Sequence, residues 1–315
     1  MSAFVACIAM SLAASTFGAE PVPDRILSHF TSDNYTVTWA TAATWEPNAD
    51  LEIGEGWGHG GALCWMRFHP RQGEVEILSV ELGKGWQAYE SKRPLDNGSV
   101  AVKHAQMKCD AYAALLRDLA VVGSAELKPI PIKAGKGERI RLSTLDFWVF
   151  ARLTASGKTL FDLDWAGYEG DLHEAEYARP QAAVGLVREA VEGLDFTDHA
   201  LTEEERAWAS LKFARDWNKT QNWLSYWWVR ERYLVMIGVV GDRAALSTLR
   251  GILEGSTYER CLRYAINAVT RLTKKDVRDI TAGRMNMENT RRKVLDLLGE
   301  EVEKDARPGS NGPPN

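Results

Sequence analysis

The sequence predicts an α+β domain over residues 20–201 followed by an all-α domain over residues 202–306. Three observations predict it. Segments rich in Val, Ile, Trp, Phe and Thr recur between Tyr35 and Ala166, as strands do. Only two segments before Thr202 carry helical spacing, so the strands follow one another in hairpin order, which favours α+β over repeated βαβ units. From Thr202 onward apolar residues recur every three to four positions and no strand pattern remains. At 315 residues, with 45% hydrophobic and 26% charged residues, the chain is long enough for two cores.

Met1 to Ala19 carries no charge, has an apolar stretch from Ala3 to Ala14 and ends in the small-residue run Ser15-Thr16-Phe17-Gly18-Ala19. That pattern predicts a bacterial-type signal peptide over residues 1–19, cut after Gly18 or Ala19, and an exported protein, periplasmic or extracellular. The apolar run is too short to span a bilayer comfortably, so no stable membrane insertion is expected after its removal. Cys7 would leave with it. Cys64, Cys109 and Cys261 remain, an odd number that does not read as a disulfide framework, although Cys64 and Cys109 could pair. No Cys/His spacing suited to zinc is present.

In the first domain the expected strands are Tyr35–Thr41, Ala62–His69, Glu74–Leu82, Arg139–Leu153 and Lys158–Ala166. Ala155-Ser156-Gly157 reads as the hairpin turn between the last two. The expected helices are Asp110–Val122, with Leu115, Leu116, Leu119 and Val122 on one face, and Pro180–Glu192, with Pro180 in the first turn.

Thr202-Glu203-Glu204-Glu205 is a capping box that opens the second domain and starts a helix to about Asn218. Further helices are expected at Trp223–Val240, Arg243–Glu254, Tyr258–Leu272 and Glu288–Lys304. The Pro/Gly/Ser/Asn tail from Arg307 to Asn315 reads as disordered. Between two of these helices, Val235-Met236-Ile237-Gly238-Val239-Val240 runs into Gly241-Asp242 and then Arg243-Ala244-Ala245-Leu246. Gly241 in a left-handed conformation would stop the first helix and Asp242 would cap the second. A second unit opens at Tyr258-Glu259-Arg260-Cys261-Leu262, where Ala265 and Ala268 allow close packing. Residues 223–304 thereby resemble HEAT repeats of the phycobilisome-lyase HEAT-like type. The resemblance implies protein–protein scaffolding and brings no universal catalytic residues; the long join from Thr273 to Met287 departs from the pattern.

Three constellations could carry chemistry. Gly54-Glu55-Gly56-Trp57-Gly58-His59-Gly60-Gly61 could cradle an anion, yet it runs into a strand and lacks a nucleophile elbow or a Walker-type lysine, so it reads first as a flexible hairpin or loop. His59, Cys64 and His69 lie close in sequence, without an identifiable orienting acid. Asp162, Asp164, Glu169 and Asp171 gather oxygen ligands around a glycine-bearing loop and are the candidate metal residues; calcium is the ion such a set would take, though the spacing is not that of an EF-hand. Trp217, Trp223, Trp227 and Trp228 read as core and inter-domain packing, or, if exposed, as a sugar platform.

A net charge of −5 without a block of like charge argues against nucleic acid. The expectation is an exported, non-catalytic protein with a protein partner and no cofactor. The alternative is a secreted hydrolase or metal- or ligand-binding domain with its site around Gly54–Cys64 or Asp162–Glu176.

Overall fold

The computed structural model describes residues 24–30, 35–39, 45, 47–57, 63–82, 100–129, 146–168, 175–219, 227–281 and 284–306. Residues 1–19, expected to be a signal peptide, residues 307–315 and residues 58–61 lie outside them.

The described elements begin with α1 (Asp24–Leu27), β1 (Tyr35–Trp39), β2 (Asp50–Trp57), β3 (Leu63–Pro70), β4 (Glu74–Leu82) and β5 (Val100–Lys108). α2 (Cys109–Ser124), β6 (Ala125–Pro129), β7 (Asp146–Ala155), β8 (Lys158–Tyr168), α3 (Ala175–Val191) and β9 (Thr197–Asp198) follow. α4 (Glu203–Lys219), α5 (Trp227–Val240), α6 (Leu246–Gly255), α7 (Glu259–Thr273), β10 (Ile280–Thr281), β11 (Arg284–Met285) and α8 (Met287–Ala306) complete the chain. A sheet-rich half therefore precedes a helical one.

The main sheet has seven antiparallel strands in the order β8-β7-β2-β3-β4-β5-β9, while β1 pairs with β6 in a separate ladder. Alternation along each strand gives the sheet two buried faces. Leu51, Ile53, Phe68, Val75, Ile77, Ala105, Met107, Val149, Ala151 and Leu153 pack against α1, α2 and α3. Leu63, Trp65, Leu78, Val80, Leu82, Trp148 and Phe150 pack instead against the helices beyond Thr202. The core on this second side runs without a break from the sheet through Phe213 and Tyr233 to Leu249, Ala265 and Val294.

Local chemistry explains several boundaries. Ser156 and Gly157 both have positive φ (48° and 76°), and Ala155 pairs with Lys158, giving the two-residue primed turn expected from Ala155-Ser156-Gly157. The capping box forms: the Glu205 N–H donates to Thr202 Oγ1 at 3.2 Å and the Thr202 N–H to Glu205 Oε2 at 2.7 Å.

Four expectations are corrected. Gly54-Glu55-Gly56-Trp57 is not loop but the end of β2, hydrogen-bonded on both sides to β3 and β7. Its glycines serve close approach: a Cβ on Gly54 would lie 2.3 Å from the Phe150 ring, and one on Gly56 2.8 Å from Arg232 Nη1. Pro180 sits inside α3, not in its first turn, because burial of Tyr177 and Ala178 draws an extra turn into the helix ahead of it. Gly241 is not left-handed; a Cβ there would meet the Ile237 carbonyl oxygen at 2.4 Å, so glycine is required by contact instead of by φ. Finally, the helical half contains one short ladder, β10 with β11. Asp242 does cap as expected, its Oδ1 accepting the Ala244 N–H at 2.9 Å ahead of the short 3₁₀ turn that leads into α6.

Candidate functional site

The densest polar constellation lies between the sheet and α4. Cross-strand register aligns Asp162 with Arg152, Arg152 with Glu52, and Glu52 with Arg67, a row of alternating charge over β8, β7, β2 and β3. All four sit at positions facing the helical side. α4 lays Lys212 and Asp216 on this row from one face, as expected for residues four apart.

The contacts close the row. Arg152 Nε donates to Asp162 Oδ1 at 3.2 Å and its Nη1 to Asp216 Oδ1 at 3.0 Å. Lys212 Nζ meets Asp216 Oδ2 at 2.9 Å and also pairs with Glu52. The Lys212 ammonium lies 5.0, 5.2 and 5.8 Å from the ring centroids of Phe213, Phe150 and Trp65, an aromatic enclosure for the cation. Arg67 donates to Asp50 at 3.0 Å and stacks 3.8 Å over Trp208, which itself stacks on Trp65. Lys212 and Asp216 are only 6% and 4% exposed. Desolvation pushes the Asp216 carboxyl up, but Lys212 and Arg152 outweigh it and hold the group below the usual carboxylate range.

Asp164 behaves differently. Trp148 Nε1 donates to its Oδ1 at 3.2 Å, and its carboxyl is pushed up to about 7, first by desolvation, with Asp162 and Asp216 adding repulsion and Trp148 and Arg152 opposing. The residue nevertheless keeps an exposed surface, and that access to water limits the desolvation behind the rise. Upward is the direction the surroundings support.

Among the candidate metal residues, Asp162 and Asp164 do share a strand face, but Asp162 is engaged by Arg152 and Asp164 by Trp148. Glu169 and Asp171 lie outside the described residues. Among the described residues no group of three or more His, Cys, Asp and Glu side chains is gathered as a metal site.

Cys64 and His69 point to opposite faces of β3, being an odd number of residues apart. Burial, then Glu81 and Glu55, push the Cys64 thiol up to about 12, the opposite of an activated nucleophile. His69 Nδ1 is instead 2.7 Å from Asp50 Oδ1. His59 lies outside the described residues. Cys64, Cys109 and Cys261 are all free thiols. Cys64 stands beside Glu81, which pairs with Ala101, so Cys109 is eight residues further along β5, about 26 Å at strand rise, beyond disulfide reach.

Sequence reasoning missed Glu52, Arg152, Lys212, Asp216 and Arg232. One signal was available: Lys212 and Asp216 interrupt the Ala209, Phe213 and Trp217 stripe of α4, charge inside an apolar face. Trp217 is buried in the core as expected, while Trp223 lies outside the described residues.

No family model matches the chain, and no curated protein and no solved structure matches it. Among the described residues no helix is long and apolar enough to cross a membrane.

Proposed function

We propose that the chain is an exported, non-catalytic binding protein that presents its C-terminal helices to a protein partner as a short HEAT-like stack. One observation carries the reading. α5 packs on α7 and α6 on α8, so alternate helices fall into two layers, the arrangement that stacked helical pairs produce. The charged seam supports it in a second way: its ions neutralise one another, and the Cys64 thiol is raised instead of activated.

The test is recovery of a partner from envelope extract on the immobilised chain. Reversing exposed charges on α8, Arg292→Glu with Asp296→Lys, should abolish recovery, whereas Glu74→Lys on the sheet should leave it intact. No partner with folded bait, or equal loss with Glu74→Lys, contradicts the reading.

One observation favours a second reading, a hydrolase in the sheet half. Asp164 combines a raised carboxyl with solvent access beside a buried ionic row, a combination suited to a general acid. Turnover on ester, peptide or glycoside substrates that is lost in Asp164→Asn would establish it.

A further inference from the structure

A cavity of about 570 Å³ opens where the end of α4 meets α6 and the turn into α7. Its wall includes Trp217 and Asn218 from α4, Thr248, Gly251 and Ile252 from α6, and Tyr258 beyond the turn. The size is that of a small-molecule site, which spans roughly 300–1,000 Å³.

Its chemistry is uniform. The lining side chains among the described residues carry no formal charge; they offer hydroxyls, an amide and two aromatic rings. Charges on the neighbouring helices are paired with one another, Arg250 with Glu254 at 2.8 Å and Arg263 with Glu259 at 2.6 Å. Among the described residues, the Thr248 and Thr257 hydroxyls have no hydrogen-bond partner in the chain.

Gly251 and Gly255 belong to the same wall. They lie four apart on one face of α6, where glycine weakens a helix relative to alanine. Neither has positive φ, and a Cβ on either would meet nothing within 4 Å. Neither backbone conformation nor internal packing requires glycine here. What the missing side chains do is keep the cavity wall open.

We propose that this cavity binds an uncharged, polyhydroxylated ring compound: a mono- or oligosaccharide. The Tyr258 ring, 41% exposed, offers a stacking face for the C–H side of a sugar ring. Thr248 and Thr257 supply donors and acceptors for its hydroxyls. The absence of charge among the described lining residues disfavours phosphate and carboxylate ligands.

The test is calorimetric titration of the chain with maltose, cellobiose and N,N′-diacetylchitobiose, with inorganic phosphate as the charged control. Saturable binding of at least one sugar is expected, and none of phosphate. Gly251→Leu fills the cavity and should weaken binding at least tenfold. Gly251→Ala should weaken it less while raising Tm by roughly 1–3 °C, since alanine favours the helix. Tyr258→Ala, at an exposed position, should weaken binding about tenfold, and serves if Gly251→Leu does not fold. No saturable binding by any of the three sugars, phosphate binding at the same site, or sugar binding indifferent to Gly251→Leu and Tyr258→Ala overturns the proposal.

Discussion

The two faces of the seven-stranded sheet are closed in different ways. Against α2 and α3 the contact is mainly aliphatic and aromatic: Ser79 is the one buried polar residue of the strands on that side among the described residues, and the Glu55–Arg188 pair between β2 and α3 keeps its arginine exposed. Against α4 and α5 the apolar contacts of Trp65, Phe150 and Phe213 surround a row of ions, and every fully buried charged residue described lies beyond Thr202. Apolar contact is adhesive but permissive of sliding. Buried ion pairs add little net stability, yet they penalise any register that leaves a charge unpaired. The comparison assigns adhesion to the first face and register to the second: Asp216 and Lys212 fit Arg152 and Glu52 in one placement of α4.

Mutations sharpen that contrast. Asp216→Ala removes the acid that Arg152 and Lys212 share, leaving them only Asp162 and Glu52, and should cost about 3 kcal/mol in urea unfolding. If Asp216→Ala costs less than about 1 kcal/mol, the contrast fails. On the other face Leu119→Ala, fully buried in α2, should cost about 3 kcal/mol through lost burial and a cavity, with no change in pH dependence. Thr202→Ala removes one side of the capping box and should cost about 1 kcal/mol.

The smallest effect is electrostatic. The Asp164 carboxyl is raised in the folded chain, so its contribution is favourable below its unfolded value near 3.8 and is lost as pH rises toward about 7. Asp164→Asn should therefore stabilise at pH 8 by about 1 kcal/mol or less, given its exposure, and be neutral at pH 4. Asp216, held low, has the opposite sign: its contribution is present above about 4 and lost as the carboxyl protonates at lower pH. Melting curves across pH 3–8 separate the two.

Strongly periodic segments were legible in the sequence. α2, α7 and the capping box at Thr202 need only local chemistry, and they appear where their patterns place them. β5 was not legible, because Val100 and Val102 face the helical side while Ala105 and Met107 face α2, so its apolar residues change phase midway. β2 was hidden by Gly54 and Gly56, whose role depends on Phe150 and Arg232, about 100 and 175 residues away in the chain. The same limit applies to the site. Asp162 and Asp164 were visible as acids on one strand face, but the cation that answers them, Arg152, sits on β7, and only pairing register brings them together.

Native-state hydrogen exchange tests the central claim, that the ionic row locks α4 to the sheet as part of one cooperative core. In the wild-type chain, α4 amides should exchange only through the global unfolding that also exposes β2, β3 and β7. In Asp216→Ala, α4 should open in a separate, cheaper step while α2 still exchanges with the sheet. If wild-type α4 already opens well below the global free energy, or if Asp216→Ala loosens α2 as much as α4, the seam is not what holds the two halves in register.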